Sequence, residues 1–145
     1  MLTKLKIKMI LNFKTQIGGK PTNFVENILS RQKIHSIRAG RRWKVGDTIH
    51  MSTGARTKNY KQFNKDLPHL QTVIDVQDIK IRWKTGAKTE LANYDFRVFV
   101  DRRELVGQEL RDLIDNDGFM LAYDFGDFFN KDFDGQIIHW THYSY

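Results

Sequence analysis

Residues 31–47 read Arg31-Gln32-Lys33-Ile34-His35-Ser36-Ile37-Arg38-Ala39-Gly40-Arg41-Arg42-Trp43-Lys44-Val45-Gly46-Asp47 and hold six of the chain's 24 Lys and Arg residues. Within them, Lys33, Ser36 and Arg38 are the set best suited to covalent chemistry. On a strand over residues 34–38, Ser36 and Arg38 stand two apart and share a face. Lys33 then sits at the junction with the preceding element. A lysine beside an arginine has a repelled ammonium and can serve as a base. A serine hydroxyl within its reach is a nucleophile, and the arginine can hold an anionic or carbonyl oxygen. The same three residues equally describe a solvated, basic strand end that does no chemistry.

Three further sets bear on binding. Arg41, Arg42, Trp43 and Lys44 combine phosphate-seeking charge with an indole for base stacking, or else form a basic turn whose Trp43 packs in the core. Arg56, Lys58, Tyr60 and Lys61 interleave charge with an aromatic ring in a polar stretch, which suits a nucleic-acid backbone or a solvated loop. Asp115 and Asp117 stand at the expected end of a helix, where the macrodipole disfavours carboxylates, so they are candidates for pairing with a cation of the basic half. His35, His50, His69, His139 and His142 show no zinc-ligand spacing. The chain has no cysteine and no phosphate-loop or dinucleotide glycine pattern, so neither a metal site nor a cofactor is expected.

The elements that must position these residues follow from periodicity. Leu5, Ile7, Met9 and Leu11 alternate with Lys4, Lys6 and Lys8 as a strand with one wet face. Gly18-Gly19-Lys20-Pro21 breaks it. Pro21, and Asn23 with Glu26 as a capping box, open a helix whose apolar face is Phe24, Val25, Ile28 and Leu29. The helix should stop at residues 30–32 and deliver Lys33 to a short strand over residues 34–38. Turns at Ala39-Gly40 and Val45-Gly46-Asp47 lead to a strand over residues 48–53, and residues 54–66 read as a long surface loop. Residues 73–83 form a long strand whose apolar parity shifts between Val76 and Ile79, which predicts a bulge or bend. A strand over residues 94–100, a helix through Leu105, Val106, Leu110, Leu113 and Ile114 stopped by Gly118, a short helix around Phe125, Phe128 and Phe129, and a strand over residues 136–141 complete the chain.

Helices and strands do not alternate regularly, which disfavours a doubly wound parallel sheet. The expected fold is α+β, a small, mostly antiparallel β-barrel of five to six strands with about three short flanking helices, as a single domain over residues 1–145. Composition agrees: 40% hydrophobic and 28% charged residues are ordinary globular values. No apolar run approaches a membrane span, and the N-terminal alternation lacks the apolar region of a signal peptide. A cytoplasmic protein with no membrane partner is the expectation. Charge is polarised: residues 1–62 carry 14 Lys and Arg against Glu26 and Asp47, a net of +12, and residues 63–145 carry ten against fifteen acids, a net of −5. A basic half of this kind suits an anionic partner.

The run Arg31-Gln32-Lys33-Ile34-His35-Ser36-Ile37-Arg38, with the preceding helix, the Gly46-Asp47 turn and the later Asp117-Gly118-Phe119, resembles the ASCH domain family, small relatives of the PUA RNA-binding domain. The family's hallmark is a helix, then Gly-x-Lys-x-x-(Glu or Thr)-x-Arg, then a Gly-Asp turn entering a strand. The resemblance implies a PUA-like barrel with a cleft between barrel and helices, binding RNA or a nucleotide-like ligand. The motif together with the basic sets above makes Arg31, Lys33, His35, Ser36, Arg38, Arg41, Arg42, Trp43, Arg56 and Lys58 the candidate binding residues. In one branch, the small bacterial acetylcytidine amidohydrolases, a Lys, a Thr and a Glu cleave an amide. Carried over by position, Lys33 is the base, Ser36 the nucleophile and Asp117 the carboxylate. Arg31 replaces the family's Gly, Ser36 its Thr, and Asp117 its Glu. The leading expectation is an RNA-binding or nucleotide-binding domain. Hydrolysis of an acylated nucleoside and docking of an acidic protein partner are the alternatives.

Overall fold

A computed structural model of the chain describes residues 8–88 and 95–145. Leu5 and Ile7 of the predicted first strand, and Tyr94 of a later one, lie outside them. The α+β class holds. Ten strands and three α-helices are present among the described residues. The additional strands are pieces of two or three residues in segments whose length is too short to show a period.

The larger sheet has the order β4-β10-β7-β8-β9 and is antiparallel throughout: β4 (His35–Ala39), β7 (Asp75–Trp83), β8 (Phe96–Val100), β9 (Arg103–Leu105) and β10 (Phe133–His139). The smaller sheet pairs β1 (Lys8–Asn12) parallel to β5 (Thr48–Thr53), with β6 (Lys61–Gln62) antiparallel on its other side. β2 (Gln16–Ile17) and β3 (Lys20–Pro21) form a hairpin. The helices are α1 (Phe24–Leu29), α2 (Gln108–Asn116) and α3 (Ala122–Phe128).

The sheets do not close into a barrel. On one flank, residues 71–74 carry hydrogen bonding from one sheet to the other: Ile49 N donates to Gln71 O at 2.9 Å, Val73 N to Asp47 O at 3.0 Å, and Ile74 N to His139 O at 2.8 Å. On the other flank no ladder joins β1 to β4. A side chain spans the gap there, Arg38 Nη2 donating to Asn12 O at 2.7 Å.

The parity shift predicted to bend the long strand is not a bulge. β7 keeps an unbroken register against β10, from Ile81 opposite Phe133 to Asp75 opposite His139. Its inward set is Gln77, Ile79, Ile81 and Trp83, all buried. A polar residue fills an inward position and so hides the period. Gln77 tolerates burial because its amide is satisfied: Oε1 accepts from His139 Nε2 and Tyr145 N, and Nε2 donates to Tyr145 O and Asp101 Oδ2.

The stretch over residues 54–66 is not wholly a surface loop either. Asn64 is fully buried, accepts from Met51 N and donates to Ile49 O and Leu70 O, tying the segment to β5. The capping box is also absent. Asn23 is left-handed, with φ of 56°, and makes no side-chain cap to α1. Thr22 Oγ1 accepts from Phe24 N instead, at a long 3.3 Å.

β10 is an inner strand between β4 and β7, and its last five residues are buried. Gly135 there is obligatory, since an added Cβ would lie 2.2 Å from Arg38 O. The core runs from Leu11, Ile49 and Met51 through Ile79, Ile81, Ile137 and Ile138 to a Phe24–Phe119–Phe125–Phe129 aromatic chain. Each such fully buried large side chain stabilises the fold by about 1.5–3 kcal/mol. No helix among the described residues is long and apolar enough to cross a membrane.

Candidate functional site

Two helix ends bring the motif together. After α1, Ser30 is the C-cap and Arg31 turns left-handed, with φ of 68°. Arg31 N donates to Ile28 O at 3.1 Å, and Lys33 N to Asn27 O at 2.9 Å. This is a left-handed helix stop of the kind that favours glycine, and it throws Lys33 inward. At the end of α2, Gly118 is left-handed, with φ of 92°. Gly118 N bonds Asp115 O at 2.9 Å and Phe119 N bonds Ile114 O at 3.1 Å, the double closure of a Schellman turn. A Cβ at Gly118 would lie 3.0 Å from Lys33 Cδ, so glycine also lets the turn settle against the lysine stem.

Lys33 and Asp117 meet between these turns, 2% exposed each. Lys33 Nζ donates to Asp117 O at 2.5 Å and to Asp117 Oδ1 at 3.1 Å. The ammonium faces both a carboxylate and the carbonyl end of α2, the favourable pole for a cation. It lies 4.9 Å from the centre of the Phe24 ring and 5.8 Å from that of Phe13. Burial pushes the Lys33 ammonium below its ordinary pKa, opposed by Asp117 and helped by Arg38. Asp115 is exposed and stays outside the pair.

His35 is fully buried beside them. Its Nδ1–H donates to Asp117 Oδ1 at 3.2 Å, and its Nε2 accepts from the Tyr145 hydroxyl at 2.6 Å. Asn116 Nδ2 donates to the same hydroxyl at 3.0 Å. Burial lowers the His35 pKa, against the pull of Asp117, and the carboxylate facing Nδ1 favours the tautomer that carries its proton there. His139 packs edge-on against it, ring centres 5.3 Å apart. Burial pushes His139 down to about 3, with a contribution from His35. Its Nε2–H donates to Gln77, and its Nδ1 is buried without a hydrogen-bond partner among the described residues.

Ser36 and Arg38 share a face of β4, and Arg38 Nε donates to Ser36 Oγ at 3.1 Å. Burial pushes Arg38 down to about 10, Asp117 opposing and Arg42 adding. Its guanidinium lies over Phe13, 5.1 Å from the ring centre. Among the described residues no hydrogen bond joins Lys33 to Ser36. The amine is engaged by Asp117 and the hydroxyl by Arg38, so the base-to-nucleophile contact of an amidohydrolase is not made in this conformation.

The remaining candidates divide. Arg41, Arg42, Arg56 and Lys58 are exposed. Asn12 gathers two of their segments: its carbonyl takes Arg38, and its Oδ1 takes Ala55 N at 3.0 Å, next to Arg56. Trp43 is no stacking platform. It is 2% exposed, its backbone exchanges two hydrogen bonds with Gln136, and Arg42 covers its ring. His35 is likewise interior, offered to Asp117 and Tyr145 rather than to solvent. Arg31 is exposed over a separate depression of about 310 Å³ floored by Ile28, Leu70 and Trp140. Asn12, Asn116, Gln77, His139 and Tyr145 belong to the site's framework and were not legible from sequence, because nothing local marks a residue whose partner is set by sheet packing.

No family, curated protein or solved structure matches the chain in comparisons with all three.

Proposed function

We propose that the protein binds single-stranded RNA along the face built from β4, the turn after it and the loop over residues 54–58, on a framework related to the PUA and ASCH domains. One observation carries the reading. Among the described residues, every lysine or arginine within 4.0 Å of a carboxylate, Lys33 apart, lies at residue 82 or later, and Arg38, Arg41, Arg42, Lys44, Arg56 and Lys58 have no carboxylate within that distance. Unpaired cations of one sign, with the Arg38 side chain and the backbone next to Arg56 both tied to Asn12, repel one another and favour a polyanion that neutralises them. The framework reading draws support from the left-handed Arg31, which stands where the resembled motif has glycine. It draws further support from the Asp117-Gly118-Phe119 turn that closes on Lys33, and from residues 71–74 bridging the two sheets.

Fluorescence anisotropy with a labelled single-stranded RNA at several salt concentrations tests it. Affinity should fall linearly on a log–log plot, with a slope of about −0.7 for each phosphate neutralised. Arg42→Ala with Arg56→Ala should flatten the slope by about one to two phosphates' worth. Binding that is absent, or equally tight at low and high salt, overturns the proposal. A second reading, hydrolysis of an acylated nucleoside, is favoured by the Lys33–Asp117 contact alone. It requires Lys33 to leave Asp117 for Ser36, and an acetylcytidine assay showing no turnover by the intact protein removes it.

A further inference from the structure

A cavity of about 500 Å³ opens between α1, the β2–β3 hairpin, the turn at Gly118 and α3, and none of Lys33, Ser36 and Arg38 lines it. Its size falls in the usual range for small-molecule sites. Its floor is aromatic. Phe24 and Phe119 meet edge to face with centres 5.6 Å apart, and Phe119 and Phe128 lie 5.7 Å apart. Phe128 is 40% exposed and Met120 80% exposed at the mouth, large apolar surface that no part of the described chain covers.

The wall chemistry narrows the ligand. Asn23, Asn27 and Gln32 line the cavity, and their side-chain amides have no partner among the described residues. Each offers both a donor and an acceptor. The charges on the wall are Lys20, Asp124 and Asp127, and Asp127 is taken up by Lys88. Lys20 and Asp124, which have no ion pair among the described residues, therefore cancel. An anion gains nothing from such a wall. An apolar chain would leave the amides facing it unsatisfied. A flat ring with polar edges uses both features, stacking on the phenylalanines while its rim bonds the amides.

We propose that this cavity is a second binding site, separate from the basic face, and that it takes an uncharged planar heterocycle of the nucleobase type. The ring has two conceivable sources, a free nucleoside or a base of a bound strand. The cavity does not depend on the basic face for its chemistry, so either proposal can fail alone.

The experiment is an NMR titration of the full chain with adenosine, guanosine, cytidine and uridine, and with ribose 5-phosphate as an anion lacking a ring. At least one nucleoside should shift Gly118, Phe119 and Phe128, with an affinity constant to within about twofold between roughly 0.05 and 0.5 M salt, since no counterion is released. Phe128→Ala should weaken it at least about fivefold, the low end for loss of an aromatic stacking partner. Gln32→Ala, at an exposed position outside the core, should also weaken it. Arg42→Ala with Arg56→Ala should leave it unchanged. If Phe128→Ala also weakens RNA binding, the ring comes from the strand; if RNA binding is unaffected, the ligand is a free nucleoside. Absence of shifts with all four nucleosides, equal binding of ribose 5-phosphate, or nucleoside affinity indifferent to both Phe128→Ala and Gln32→Ala overturns the proposal.

Discussion

Replacing Asp117 with alanine removes the one carboxylate within 4.0 Å of Lys33 among the described residues. Asp117 Oδ1 accepts from Lys33 Nζ at 3.1 Å and from His35 Nδ1 at 3.2 Å. In Asp117→Ala the ammonium keeps only a backbone carbonyl, and the imidazole N–H keeps nothing. Lys33 is 2% exposed, so water does not compensate. Breaking a buried pair by deleting one partner costs about 3–5 kcal/mol, a large part of a total of about 5–15 kcal/mol. For a chain of this size each kcal/mol is worth about 3–4 °C, so Tm should fall by roughly 10–20 °C. Urea and thermal unfolding at neutral pH measure this. The charge argument has a sharper consequence in the double variant. Lys33→Met with Asp117→Ala removes both ions, and a buried pair replaced by apolar side chains is often near neutral. It should recover at least about 2 kcal/mol relative to Asp117→Ala, a coupling within the range seen for residues in contact. A loss below about 1 kcal/mol for Asp117→Ala, or a double variant no more stable than that single one, refutes the reasoning, because surface pairs behave in that way.

Two further outcomes follow from the same region. Arg31 holds a left-handed conformation at the end of α1 with φ of 68°, so Arg31→Gly should stabilise the protein by about 1 kcal/mol, read from urea midpoints; a neutral or destabilising result shows that the arginine side chain contributes more than the backbone strain costs. Both His35 and His139 have folded pKa values below the usual 6.5, mainly through burial. Below pH 6.5 the unfolded chain therefore binds protons that the folded chain does not, and stability present above that pH is lost as pH falls, for His139 down to about 3. The limiting slope is about 1.4 kcal/mol per pH unit for each group. Urea unfolding between pH 7 and pH 5 should show it, with a smaller slope in His139→Gln; a flat profile contradicts the burial argument.

Much of the local structure was legible in the chain. The alternation in β5, β8 and the inward half of β7, the Phe24 and Ile28 face of α1 and the Gly118 stop are written in spacing, because a strand repeats every two residues and a helix every 3.6 whatever lies around it, whereas Leu29, expected on the same face of α1, is 50% exposed. The placement of Lys33 at a helix-to-strand junction, with Ser36 and Arg38 on one face, was legible for the same reason. Where a single polar residue sat inside, the signal failed. Gln77 made a regular strand look bent, and Asn64 made a tethered segment look like a free loop. Both are buried because side-chain amides can be satisfied by partners distant in sequence.

Tertiary structure alone decided the site. Lys33 and Asp117 lie 84 positions apart, and His35 and Tyr145 lie 110 apart. Sequence named Lys33, Ser36 and Asp117 as a set, and Asp117 as a partner for some cation of the basic half, but had no means of saying which cation. Packing gave the lysine to Asp117 and the serine to Arg38, because a buried ammonium needs a carboxylate more than a hydroxyl does. Trp43 went to the core, since its ring gains more there than on a wet turn. The sequence by itself determined which residues are charged, which stretch is basic, and where helices stop. Which charges are neutralised within the molecule, and which stay without an ion pair, depends on long-range register, and that is set only when the sheets assemble.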